Sequence, residues 1–387
     1  MTCLTRVLWV VTHPIQYQVP VFRAITSQAA IDLTVLFLTA FGTRPSRDPQ
    51  FATTLQWDVP LLTGYRWRFL SGVGAELAPL GDVRPTPLRA ELAKGIRAVV
   101  ISGYARAGYL RAIWHARRQK CRLIHLGESN HETHVRGTLT RSLKRPLLKW
   151  VYGDRDHALS PGTRSDRYLQ SYGVSPSRIH RYPYCVDTSL TDAAWPARSA
   201  LRGKLRAELG IDDERTVFLF CGKLIPKKNP LGVLRAFLRA SIPADLVFVG
   251  AGAEEQVLRS AAGGDPRVHF LGFRNQTELP GIYAAADILT LPSSVSETWG
   301  LVVNEAMAMG CAVIVSDRVG CAPEIVEGKD TGLVVPAGNV DALRDAMLAA
   351  ATDRERLERW QANAHRVASD HTPERAAWAV ADAAGAP

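Results

Sequence analysis

The run Val217-Phe-Leu-Phe-Cys221-Gly-Lys-Leu-Ile-Pro-Lys-Lys-Asn229-Pro-Leu-Gly-Val-Leu-Arg-Ala-Phe-Leu-Arg-Ala240, followed closely by Leu246-Val-Phe-Val249, decides the fold. Val217–Cys221 is continuously apolar, as a strand covered on both faces of a parallel sheet should be. Gly, Pro and Lys then break the run, and 230–240 has the length of a helix. A second apolar strand follows at once, which makes the unit strand, helix, strand. Outward from it the same alternation continues, with strands expected at 268–271, 288–291, 312–315 and 332–334 and helices at 254–262, 301–309 and 340–350. Toward the N-terminus, strands are expected at 6–11, 33–37, 98–101, 123–126 and 157–159. This is an α/β chain with parallel sheets.

The chain has 387 residues, enough for two cores. The two sets of strands meet near 186–198, a Pro- and Ala-containing stretch without periodicity, and 374–384 reads as a last helix. The expected divisions are 1–190, 200–370 and a final helix within 371–387. Charge divides in the same place. Residues 1–200 carry 27 Lys and Arg against 13 Asp and Glu, and residues 201–387 carry 20 against 24. One half is therefore +14 and the other −4. A basic half suits an anionic substrate, an anionic membrane face or a polyanion, or is simply a solvated surface. The six cysteines have no C-x-x-C pair and no zinc spacing, and no apolar run is long enough to span a bilayer. These features fit the cytoplasm.

Two stretches carry chemistry. Ser296-Glu-Thr-Trp-Gly-Leu-Val-Val-Asn-Glu305 follows an apolar strand and opens a helix near Leu301. Unpaired amides around Gly300, Leu301 and Val302 could receive a phosphate there. Glu305 lies about one turn along the helix, where a carboxylate can accept from a vicinal diol such as a ribose. Glu297 lies on the other side of the phosphate position. Carboxylates on both sides of an anion site suit a ligand with hydroxyl-rich groups flanking a diphosphate, as in a nucleotide sugar. The alternative is an acidic helix start of no further significance. The second stretch, Gly222-Lys223-Leu-Ile-Pro-Lys227-Lys228-Asn229, clusters lysines in a strand-to-helix loop suited to the same diphosphate.

In their order and spacing these pieces resemble the retaining glycosyltransferases of the GT-B fold known as family 4, or group 1. The likeness also takes in Gly250-Ala-Gly252, Phe270-Leu-Gly-Phe273, Tyr283-Ala-Ala-Ala-Asp287, Glu305-Ala-Met-Ala-Met-Gly310 and Gly332-Leu-Val-Val-Pro336. It implies two Rossmann-like domains facing across a cleft, the first holding the acceptor and the second the donor. The last helix is then expected to pack back on the first domain. The resemblance implies that Lys223 and Lys228 neutralise the donor diphosphate, aided by the amides of Gly300, Leu301 and Val302. It places Glu305 on the ribose, Glu297 on the transferred sugar, and Gly222 and Phe273 beside the nucleotide. Trp299, where a Phe is commoner, either borders the sugar or packs. Glu297, Lys223 and Lys228 are the implied catalytic set.

The first half is similar to a branch of that family through Thr12-His13-Pro-Ile-Gln16-Tyr17, Trp57-Asp-Val-Pro-Leu-Leu62 and Gly127-Glu128-Ser129. His13, Gln16, Tyr17, Tyr104 and Glu128 are the acceptor candidates. Many members place a His after the fourth strand. Here the place reads Ile101-Ser-Gly-Tyr104, so a protein general base is not evident.

The expected activity is transfer of a sugar, with retention and without a metal or other cofactor, from a nucleoside-diphosphate sugar. A UDP-sugar is favoured as donor, and the acceptor is a hydroxyl of a glycan, a lipid-linked molecule or a small molecule. Rival readings are an epimerase or phosphorylase of similar fold, or a non-catalytic membrane- or polyanion-binding protein with a decayed donor site. Asp154-Arg-Asp156 has the D-x-D form of a metal site but falls in the half away from the donor. Gly250-Ala-Gly252 lacks the third small residue of a dinucleotide fingerprint, having Glu255 instead. Residues 136–150 interleave Arg136, Arg141, Lys144, Arg145 and Lys149 with leucines and Trp150, a basic amphipathic stretch that could lie on an anionic membrane. No nucleic-acid-binding motif accompanies the charge.

Overall fold

The structure is a computed structural model that describes residues 4–28, 30–48, 53–70, 85–131 and 138–386. Its strands are β1 (Thr5–Val11), β2 (Ile31–Phe37), β3 (Ser46–Asp48), β4 (Thr53–Leu55), β5 (Trp67–Phe69), β6 (Ala98–Ile101), β7 (Arg122–Leu126), β8 (His157–Ser160) and β9 (Ile179–Arg181). They continue as β10 (Thr216–Cys221), β11 (Ala244–Val249), β12 (Val268–Gly272), β13 (Ile288–Leu291), β14 (Ala312–Ser316) and β15 (Gly332–Val335). The helices are α1 (Val19–Ser27), α2 (Pro85–Leu92), α3 (Ala107–Arg118), α4 (Thr138–Val151), α5 (Thr163–Ser171), α6 (Thr188–Ala194) and α7 (Arg198–Leu209). The rest are α8 (Pro230–Ala240), α9 (Glu255–Ala262), α10 (Leu279–Ala285), α11 (Leu301–Ala308), α12 (Val340–Thr352), α13 (Arg354–Ala368) and α14 (Pro373–Ala384).

Two compact units result. The first comprises Met1–Ser46, Val59–Cys185 and Thr372–Pro387, and the second Arg47–Asp58 and Val186–His371. In the first, a parallel sheet runs β5-β2-β1-β6-β7-β8-β9. In the second, it runs β12-β11-β10-β13-β14-β15. Both therefore have the doubly wound order. The chain builds outward from the central strand to one edge, then returns to build the other side. Each reversal leaves a crevice at the carboxyl ends of two neighbouring strands, β1 and β6 in one unit and β10 and β13 in the other. The helices fall on both faces because right-handed crossovers in opposite directions put them there.

The cores follow from the strand composition. Phe218, Phe220, Phe237, Phe248 and Trp360 are buried in the second unit, with Phe220 and Phe248 in ring contact at 5.7 Å. Burying one such ring contributes roughly 1.5–3 kcal/mol. In the first unit, Leu8, Val10, Val99 and Ile101 pack against Ile113 of α3, Leu148 and Val151 of α4 and Leu169 of α5. On the other face α14 lies along α1. It is held by Arg122, which donates to the Ala383 carbonyl at 3.1 Å, and by His180, which meets Asp382 at 2.5 Å.

Three features depart from the sequence reading. The aperiodic stretch at 186–198 is mostly helical. Asp187 caps α6 by accepting from the Ser189 amide, and a 3-10 turn at Trp195–Ala197 leads into α7. Trp195 stacks on His365 at 3.6 Å, while Arg198 donates to the Met309 carbonyl. Those tertiary partners, rather than helical periodicity, order the segment. Residues 47–58, read with the first half, belong to the second unit, where the Gln56 carbonyl accepts from Asn275 and the Asp58 carboxylate from the Thr277 amide. The edge strands β5 and β9 escaped notice because they are short and only partly buried.

Candidate functional site

The second unit's crevice is built by the loops after β10 and β13. Asn229, with φ of 57°, ends the first loop and caps α8 by accepting from the Gly232 amide. Ser294 joins the two loops, its amide donating to the Lys227 carbonyl at 2.9 Å and its hydroxyl to the Pro226 carbonyl at 3.0 Å. The β11–α9 loop supports them from behind. A Cβ at Gly250 would collide with the Gly222 carbonyl oxygen, so this glycine is required by close backbone packing. Close packing thus accounts for this member of the Gly250-Ala-Gly252 pair without a dinucleotide.

Across the crevice Lys228 Nζ meets Glu297 Oε2 at 2.7 Å, both side chains about one-sixth exposed. Lys227 stands 3.9 Å from the same oxygen, and the Ser293 hydroxyl 3.4 Å. Glu297 is fixed through its backbone, which bridges to Val319 and donates to the Arg318 carbonyl. Lys223 and Gly222 share the β10 loop, both half-buried. Gly300 begins α11 with φ of 97°, and a Cβ there would come within 2.9 Å of Val319 and 3.2 Å of Leu291. This conformation aims the amides of Leu301 and Val302 out of the helix start. Trp299 is buried, its indole N–H donating to Asn304 at 2.8 Å, so the ring packs. Phe273 follows β12, two strands from β10, and is half-buried.

Glu305 is the most perturbed acid here. Burial pushes its carboxyl up to about 7, a shift moderated by the Tyr283 hydroxyl, which donates to Oε2 at 2.6 Å. The same hydroxyl lies 3.6 Å from Cys221 Sγ at the end of β10. Sequence reasoning included Tyr283 among the family pieces but assigned it nothing. Nor did it assign Asp287, which is buried and accepts from Arg206 at 2.7 Å, Arg202 at 2.9 Å and the Val217 amide at 2.8 Å. Asp287 anchors α7 to the start of β10, and a carboxylate closing an otherwise apolar run was the one available signal.

The first unit's crevice is built by the loops after β1, β6 and β7, and its chemistry is different. His13 is held down to about 4 by burial and by Arg106, with its ring edge-on to Phe41. It is neutral at pH 7. Glu128 is raised above its ordinary value by burial and takes a hydrogen bond from Tyr184, which also bonds Tyr17. Glu128 Oε1 and Gln18 Oε1 have no hydrogen-bond partner and border one small cavity with Tyr17, Tyr182 and Tyr184. Gln18, Tyr182 and Tyr184 of this cavity are not among the candidates read from the sequence. Gln16 is half-buried in the turn before α1. Tyr104 turns toward Tyr168, 3.2 Å between hydroxyls, and Tyr152. Asp156 of the D-x-D triplet is committed to Arg117 at 2.6 Å and His125 at 2.9 Å. Among the described residues no three His, Cys, Asp or Glu side chains are grouped to hold a metal.

Comparison with known proteins fits the second crevice. Residues 202–367 match the family described as glycosyl transferases group 1. This segment is similar to a group 1 glycosyl transferase domain. It contains Lys223, Lys228, Glu297, Gly300 and Glu305, so both loops and the charged groups of the second unit's crevice lie within it. A D-inositol 3-phosphate glycosyltransferase of Rhodococcus opacus is 31% identical over 241 residues, 59% of this chain and 52% of that protein. A GDP-mannose-dependent alpha-(1-6)-phosphatidylinositol monomannoside mannosyltransferase of Mycobacterium tuberculosis is 34% identical over 210 residues, 51% of this chain and 52% of that one. The chain thus spans about half the length of these curated relatives. HepE of Anabaena, solved in complex with UDP and glucose, matches over 98% of both chains with a TM-score of 0.71 and 16% identity. That likeness establishes the fold, two Rossmann-like domains of the GT-B architecture.

Proposed function

We propose that this chain is a retaining glycosyltransferase that takes a sugar from a nucleoside-diphosphate sugar held by the group 1 domain. The observation that carries the reading is the Lys228–Glu297 pair at the β10/β13 crevice, with half-buried Glu305 on the adjoining helix. In the resting protein the pair neutralises itself. When a donor binds, its diphosphate takes the lysine, and Glu297 turns to hydroxyls of the sugar. Lys223 and the amides of Leu301 and Val302 add positive charge, and Glu305 accepts from the ribose diol.

The bond from the anomeric carbon to the diphosphate oxygen breaks as charge builds on the leaving group. Lys228, Lys223 and the helix amides stabilise that charge without reorganising, and the lysines meet this need without a metal. The acceptor hydroxyl attacks the same face. Its proton passes to a diphosphate oxygen, because His13, held at about 4, is too weak a base to take it at neutral pH. His13, Gln16, Tyr17 and Glu128 of the first unit are assigned to the acceptor. HepE makes UDP the first base to try, and the mannosyltransferase relative makes GDP the second. The acceptor is a hydroxyl of a glycan, a lipid-linked molecule or a small molecule.

The test is thermal shift against UDP, GDP, ADP, dTDP and CMP, with Glu305→Gln and Lys228→Ala alongside. Stabilisation by one diphosphate, lost in both variants, supports the donor site, and that diphosphate's sugars are then assayed for transfer. If no diphosphate stabilises the protein, the reading fails. Donor turnover without an acceptor but with epimerised product would move the assignment to an epimerase.

A further inference from the structure

Outside both crevices, one surface of the first unit has no part in the proposed transfer. Helices α3 and α4 lie together on one face of the sheet, joined by Arg117, which donates from α3 to the carbonyls of Trp150 and Val151 at the end of α4. Neither helix contains an acidic residue. α3 carries Arg111, Arg117 and Arg118, and α4 carries Arg141, Lys144, Arg145 and Lys149. Arg136 lies outside the described residues, so the surface is drawn from α3 and from residue 144 onward.

Three large apolar side chains stand exposed on it: Trp114 at 44%, Leu147 at 43% and Trp150 at 40%. Both tryptophans are covered by cations. The Arg118 guanidinium lies 4.8 Å from the Trp114 ring centre, and that of Arg117 lies 5.3 Å from Trp150. Arg145 and Lys149 are exposed beside them, and Leu148 and Val151 fix the opposite side of α4 in the core. The nearest exposed acid along the chain, Asp154, adjoins exposed Arg155. The other exposed tryptophan of this unit, Trp378 on α14, is on the opposite face with α1.

We propose that this α3–α4 surface seats the protein on an anionic lipid bilayer. Indole rings with a cation stacked on them suit the headgroup level, where the ring is half in hydrocarbon and the charge meets lipid phosphate. Leu147 inserts beside them. Arg118, Lys144, Arg145 and Lys149 draw the surface to the negative leaflet, in the half of the chain that carries +14. A soluble polyanion would use the same charges but would leave Trp114, Leu147 and Trp150 without an apolar environment.

The experiment is flotation of the full chain with phosphatidylcholine vesicles and with vesicles containing phosphatidylglycerol. Trp114→Ala/Trp150→Ala and Arg145→Glu/Lys149→Glu variants run beside it, and melting temperatures confirm that all are folded. The expected result is binding only to the anionic vesicles, weakened by salt. The tryptophan pair should weaken it roughly tenfold, from lost apolar burial, and each basic residue removed about fivefold. Brominated lipid should quench the wild type more than a Trp114→Phe/Trp150→Phe variant. Absence of wild-type binding overturns the proposal. So does binding that persists unchanged without both tryptophans, or heparin binding that matches it, since either would make the surface a polyanion site. None of these outcomes depends on the donor site.

Discussion

The two units share a strand order and therefore each has a crevice at the same topological place, yet the crevices are chemically opposite. That between β10 and β13 is charged, with three lysines in the β10 loop, Glu297 paired across to Lys228, and Glu305 half-buried close by. That after β1 and β6 is aromatic and less charged, with Arg106 beside a neutral His13, a raised Glu128 and the linked hydroxyls of Tyr17 and Tyr184. The difference teaches that strand order sets where a ligand can bind, while a few loop side chains set which ligand. A diphosphate needs fixed positive charge. A neutral hydroxyl acceptor is better served by polar groups that do not compete for it with ions.

The sharpest way to break this comparison is to discharge the charged crevice. Lys228→Ala removes the cation closest to Glu297 and is expected to slow transfer by about 10²–10³-fold, measured as nucleoside diphosphate released with acceptor present. A loss under about threefold would show that the pair is structural. Glu305→Gln should weaken nucleoside diphosphate binding by about 10–100-fold through the lost charged acceptor. The sign with pH follows from the raised carboxyl. The diol prefers the ionised form, so wild-type affinity should rise as pH passes from about 5.5 to about 7.5 and should not in the Gln variant. Tyr283→Phe removes the donor that holds Glu305 down, so the midpoint of that rise should move above about 7, read by calorimetry across pH. An unmoved midpoint would reduce Tyr283 to packing.

Gly300→Ala tests the backbone on which the charged crevice rests. Positive φ and the approach of Val319 and Leu291 together should cost about 1–3 kcal/mol, seen as a lower melting temperature. The smallest effect is expected in the aromatic crevice. Burial of Glu128 penalises its charged form, and this cost grows as pH rises through and above the ordinary carboxylate value. Glu128→Gln should therefore melt like the wild type in acid and increasingly above it toward pH 8. A gap of the opposite sign would mean that Glu128 is ionised and paired, and the contrast between the crevices would narrow.

Much of this was determined by the sequence alone. Strands buried on both faces must be continuously apolar, so β6 and β13 are readable to the residue and β10 to within one. Helix α8 is equally legible, because proline opens it and its apolar face repeats. The Glu297 and Glu305 spacing and the Lys223–Lys228 loop also show in one dimension, since each motif is local. The rest depended on partners far away in the chain. Residues 186–198 become helical because Trp195 finds His365 and Arg198 finds Met309, more than a hundred positions on. Residues 47–58 belong to the second unit because Asn275 and Thr277 hold them there. Only the fold brings Tyr283 to Glu305, Gln18 and Glu128 to one cavity, and Arg117 of α3 to Trp150 of α4. Burial sets the protonation of His13, Glu128 and Glu305, and burial is a property of the packed surroundings that no local pattern of residues contains.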